Sequence, residues 1–128
     1  MKKLFALTTL VAASFSKFNS DLIEQYSIEV INEGKPGTEA KAGDEVQMHY
    51  DGTLTDGTKF DSSYDRGQPL PVRIGRGQVI KCWDDVGVNM NVGQKVKVLC
   101  PSDTAYGSRS IGPIPANSDL VFIIERVK

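Results

Sequence analysis

Alternation of apolar and polar residues is the clearest signal along the chain. In "EVQMHYDG", residues 45–52, Val46, Met48 and Tyr50 share one face, and Glu45, Gln47 and His49 share the other. "QKVKVLC", residues 94–100, sets Val96, Val98 and Cys100 opposite Lys95, Lys97 and Leu99. "DLVFIIERV", residues 119–127, brings Leu120, Phe122 and Ile124 to one face. Successive side chains of a strand point to opposite faces, so a period of two predicts strands with one face on a core. "YSIEVI" is a weaker strand of the same kind, and "PVRIG" a short one. Asp56-Gly57, between short apolar segments, marks a hairpin turn in which Gly takes the positive φ. Helical spacing is confined to residues 79–86, where Val79, Ile80, Trp83 and Val86 share a face. Residues 102–118 read as a loop rich in Ser, Gly and Pro, yet holding Tyr106, Ile111 and Ile114. Apolar and aromatic residues in a long loop often serve a site. The pattern predicts an α+β fold, an antiparallel sheet with one short helix on its apolar face.

Composition narrows this picture. A chain of 128 residues with 40% hydrophobic content suits one domain with one core. The formal charge is -1 and both signs are mixed along the chain, without a basic stripe, which argues against a nucleic-acid partner. The single histidine, His49, removes most His-dependent catalysis and most His metal sites; no metal or cofactor is expected.

The first residues differ in kind. "MKKLFALTTLVAASFS" has two lysines, an apolar stretch over residues 4–15, and small residues near its end. That is the three-part pattern of a secretory signal peptide, residues 1–16. The alternative is an apolar N-terminal helix of the mature fold, but the stretch has no polar face to meet solvent. Cleavage after Ala13 or after Ser16 fits the small-residue rule, and either cut removes both lysines and takes the formal charge from -1 to -3. No apolar run would anchor the mature chain in a bilayer. A secreted chain passes through an oxidising compartment. Cys82 and Cys100 then allow one disulfide or two buried thiols, and geometry decides between them.

Conventional catalytic motifs fail in turn. There is no G-x-S-x-G, Walker loop or H-E-x-x-H, and Gly75 with Gly77 is too little for a dinucleotide fingerprint. His49 reads as a solvated residue on a polar face, and Asp84-Asp85 as helix-surface charge. What remains is aromatic. Tyr50, Phe60, Trp83, Tyr106 and Phe122 come from separate elements. Each alone reads as core, but together they exceed what so small a core needs. Asp61 follows Phe60 and would stand at the edge of that cluster.

"MHYDGTLTDGTKFDSSYDRGQPL", then "VRIGRGQVIKCWDDV", "DTAYGS" and "IPANSDLVFIIE", resembles the FKBP-type peptidyl-prolyl cis-trans isomerases. The likeness runs over residues 24–128, leaving residues 17–23 as a short N-terminal segment. It implies a strongly twisted antiparallel β-sheet half-wrapped around one short α-helix, with an apolar pocket floored by Trp83. It implies catalytic positions at Tyr50, Phe60, Asp61 and Tyr106. Substrate-binding positions would be Arg66, Leu70, Val79, Ile80, Trp83, Ile114 and Phe122. The backbone N–H of Ile80 and the hydroxyl of Tyr106 would each donate to a substrate carbonyl. The activity implied is rotation of Xaa-Pro bonds in client proteins, by a monomer of the secretory pathway, whether endoplasmic reticulum lumen, periplasm or extracellular space. Tacrolimus- and rapamycin-type macrolides are the implied small-molecule partners. The alternative is a non-catalytic proline-binding module or chaperone using the same pocket. Leu70 departs from a frequent aromatic, Cys82 from a frequent Gly and Ala116 from a frequent second Pro, and the loop over residues 108–115 is slightly short. These bear on substrate preference and macrolide affinity more than on the fold.

Overall fold

Strand β2 (Glu45–Leu54) is the spine of the sheet. Its alternation turns Val46, Met48, Tyr50 and Gly52 into the core. One edge pairs with β6 (Leu120–Arg126), from Met48 opposite Arg126 to Leu54 opposite Leu120. β6 pairs in turn with β5 (Lys95–Cys100), and β5 with β1 (Glu29–Asn32). The other edge of β2 is shared by two short strands. β3 (Lys59–Ser62) lies opposite residues 51–53, and β4 (Leu70–Arg73) opposite residues 45–48. The order is β1-β5-β6-β2-β3, with β4 also on β2, and every pairing is antiparallel. This computed structural model describes residues 18–128, so the signal peptide predicted at residues 1–16 lies outside the described residues.

The split edge has a physical consequence at its gap. Between β3 and β4 the backbone N–H of Tyr50 lacks a ladder acceptor, and a buried amide without a partner is costly. The fully buried Ser63 supplies one, accepting from Tyr50 N at 2.7 Å. Ser63 opens the one-turn helix α2 (Ser63–Arg66), which Gly67 ends in the left-handed conformation at φ 73°.

Helix α3 (Lys81–Gly87) lies on the core face, burying Cys82, Trp83, Val86 and Gly87. It starts two residues later than the spacing predicts, so Val79 and Ile80 belong to the approach rather than the helix. A Cβ at Gly87 would lie 2.5 Å from Ile74 Cδ1, so the missing side chain is what lets the helix sit this close. Cys82 and Cys100 form a disulfide, with Cα atoms 5.7 Å apart, which ties α3 to the end of β5.

Two helices were not expected from the pattern. Besides α2, α1 (Ser20–Tyr26) packs at the N-terminal side. Asn19 Oδ1 caps it, accepting from Leu22 N at 2.8 Å. α2 is too short for a helical period to show; α1, as long as α3, does space Leu22, Ile23 and Tyr26 on one face, and it is held by its neighbours rather than by propensity. Phe18 and Tyr26 enter the core beside it. The Tyr26 hydroxyl donates to Asp85 at 2.5 Å; burial, then this bond, pushes its pKa up to about 12. No helix among the described residues is long and apolar enough to cross a membrane.

Candidate active site

The floor is Trp83, on a helix tied at one neighbour by the disulfide. Its ring meets Tyr50 edge-on, centroids 5.0 Å apart at 74°, and Phe122 at 5.3 Å and 85°. Phe60 meets Phe122 at 5.6 Å and 90°. Edge-to-face pairs of this kind add about 0.5–1.5 kcal/mol beyond area burial. Gly52 makes the last pair possible. A Cβ there would lie 2.6 Å from Phe60 Cζ and 2.8 Å from Phe122 Cε1.

One wall is the stretch that leads into α3. Asp84 holds it, its carboxylate accepting from Gly75 N at 2.7 Å and Gly77 N at 2.8 Å. Gln78 Oε1 accepts from Arg73 N at 3.0 Å. Val79 and Ile80 are thereby presented to the cavity. The opposite wall comes from the turn after the 3₁₀ helix Ser102–Thr104. There Gly107 N donates to Ser102 O at 2.8 Å, and Asn117 N to Gly107 O at 2.8 Å. This turn presents Ala105, Tyr106 and Arg109.

A cavity of about 400 Å³ lies between the walls. Tyr50, Phe60, Asp61, Leu70, Val79, Ile80, Trp83, Tyr106 and Phe122 all line it. Two of the residues expected at the site stand apart from that lining. Ile114 is 4% exposed and turned into the core, bridged by its backbone to Ile111. Arg66 reaches the site through other side chains. Gly77, Gln78, Ala105 and Arg109 line the cavity and carried no signal in the sequence pattern. Small and exposed residues have no periodicity to betray them.

At the edge sits a hydrogen-bonded triangle. The Tyr50 hydroxyl donates to Asp61 Oδ2 at 2.6 Å. Arg66 donates to Asp61 Oδ1 at 2.5 Å and to the Tyr50 hydroxyl at 2.7 Å. Ser62 N adds a donor to Asp61 at 2.9 Å. Burial opposes ionisation of Asp61, but the bonds from Tyr50 and Arg66 and the guanidinium charge outweigh it and hold the carboxyl below its usual value. Burial, then the bond to Asp61, pushes the Tyr50 hydroxyl up, so it stays a neutral donor. Two readings from the sequence change here. His49 is stacked on Tyr64 at 4.5 Å and bonded to Ser63, because α2 folds over it. Asp84 and Asp85 are bonded within the fold rather than free on a helix surface.

Comparison with known proteins meets this geometry. The family model FKBP_C, FKBP-type peptidyl-prolyl cis-trans isomerase, matches residues 37–127. FK506-binding protein 2 of Debaryomyces hansenii is 42% identical over 127 residues, 99% of this chain and 90% of that protein. FK506-binding protein 1A of Neurospora crassa is 48% identical over 106 residues, 82% of this chain and 88% of that one. The crystal structure of AtFKBP13 superimposes with a TM-score of 0.74 at 40% identity, covering 79% of this chain and 90% of that chain. Sequence, sheet order and helix placement agree: the chain belongs to the FKBP-type peptidyl-prolyl cis-trans isomerases.

Proposed function

We propose that the aromatic cavity is where this isomerase grips proline, and that it serves the folding of Xaa-Pro-containing proteins in the secretory pathway. The observation that carries the reading is the meeting of Phe60, Trp83, Tyr106 and Phe122, from four different elements, around one opening. A cavity of about 400 Å³ is within the usual range for small-ligand sites.

Rotation about Xaa-Pro breaks amide resonance against a barrier of roughly 18–20 kcal/mol. The planar amide is dipolar, and water bonded to its carbonyl stabilises that dipole. The twisted transition state is less polarised, so an apolar, water-poor site disfavours the planar form more than the twisted one. Rings clasping the proline hold one side while the other turns. The Ile80 N–H heads α3, where backbone donors have no partner within the helix, and is the donor assigned to a substrate carbonyl. The Tyr106 hydroxyl is the second. Asp61 acts on the rotating carbonyl carbon or holds Tyr50 and Arg66 in place. Macrolides of the tacrolimus and rapamycin type would occupy the same cavity, as the names of the FK506-binding relatives suggest. Leu70 gives it one softer wall.

The test is catalysed cis-trans exchange on an Xaa-Pro peptide, followed by NMR. Phe60→Ala and Asp61→Ala should each lose about tenfold in rate, equivalent to about 1.4 kcal/mol, with the fold intact. Undiminished rates in both variants would refute the site. Tight peptide binding by the wild type without exchange would make the cavity a binding module.

A further inference from the structure

We propose that Arg109 gives the cavity a charge preference, selecting Xaa-Pro segments that carry an acidic side chain on a residue flanking the proline. The inference rests on the isomerase site described above and adds a substrate class to it. Among the described residues only two charged ones line the cavity, Asp61 and Arg109. Asp61 is already neutralised by Arg66 at 2.5 Å, and both its oxygens accept from neighbours. Arg109 has no such counterpart. Among the described residues no carboxylate pairs with it, and no acceptor takes a hydrogen bond from its guanidinium. The opening therefore carries one uncompensated positive charge.

The position of that charge is defined by its backbone. Arg109 N donates to Tyr106 O at 3.1 Å, closing a turn that the bonds at Gly107 fasten to the rest of the loop. The guanidinium thus rises from the same turn that presents the Tyr106 hydroxyl. A proline seated on Trp83 brings the residues on either side of it past this rim. A planar guanidinium offers paired donors that match a carboxylate. A lysine on the substrate would meet like charge instead. Arg109 is exposed, so the expected effect is that of a surface ion pair: about threefold at low salt, and screened as salt rises.

Matched peptides with Glu or Gln placed before or after the proline test this directly, because the two side chains differ in charge and hardly in shape. Catalysed exchange should favour Glu over Gln about threefold in the wild type at low salt, and the preference should shrink in roughly 1 M salt. Arg109→Gln should abolish it, and Arg109→Glu should reverse it. Equal rates for Glu and Gln on both sides of the proline in the wild type would overturn the assignment while leaving the isomerase reading intact. So would a preference that survives in Arg109→Gln. Absence of exchange on every peptide would instead bring down the isomerase reading, and this inference with it.

Discussion

Asp61 remains ionised because its donors outweigh its burial. Desolvation alone would raise its pKa; the bonds from Tyr50 and Arg66, with the guanidinium charge, bring it below the ordinary carboxylate range. A folded-state value below the unfolded one stabilises the fold fully above the unfolded value, and this contribution is lost as pH falls through the folded value. Replacing Arg66 by Ala should therefore move the carboxyl titration of Asp61, read by ¹³C NMR, to higher pH. The acid limb of the activity profile should move with it. Both groups are substantially exposed, which keeps the shift modest. Identical titrations in wild type and variant would show that Arg66 has no hold on the carboxyl. At this scale the family-like motifs pointed to Tyr50, Phe60 and Asp61, which line the cavity. They said nothing of Gly52, whose missing side chain admits two rings, because such a contact exists only once β3 lies beside β2.

Helix α3 is short, and its position depends on ties made outside it. The disulfide joins residues 18 apart in sequence, linking the helix turn that bears Trp83 to the strand end that feeds the Tyr106 turn. Closing a loop of that size stabilises a fold by about 3 kcal/mol in the chain-entropy account. Paired Cys82→Ala and Cys100→Ala replacements should lower the urea midpoint accordingly, and reduction of the wild type should do the same. A midpoint indifferent to both would mean that the bridge contributes no stability. The strands β2, β5 and β6 were readable from alternation because each has one face on the core. α2 was not, since four residues cannot display a helical period, and in α1 the spacing of Leu22, Ile23 and Tyr26 covers a single turn that only packing on the core makes a helix. The true start of α3 was also hidden: Val79 and Ile80 are apolar for the cavity wall, and so mimic a helix face.

For the molecule as a whole, the N-terminal side carries one expectation about processing and one about folding. Cleavage after Ala13 or Ser16 would leave Phe18 and Tyr26 in the mature chain, and both are buried. The intact mass of protein recovered from a secretory host should correspond to a chain beginning at Ser14 or Lys17; an uncut chain would argue against the signal. A chain begun at residue 28 loses α1 and both aromatics. Removing even one buried aromatic typically costs about 3–5 kcal/mol, so its urea midpoint should fall well below that of the processed form. A midpoint equal to that of the processed form would mean that α1 contributes nothing to the core.

The sequence alone determined the longer sheet-forming segments, the presence of a short helix around Trp83, and the family, because alternation, spacing and motif order are properties of neighbouring residues. Only the tertiary structure decided that Cys82 meets Cys100, that Ile114 turns inward, and that Arg109 stands at the opening with no ion-pair partner among the described residues. Each of those depends on strand register and the path of a loop, which bring distant residues together and which no local pattern records.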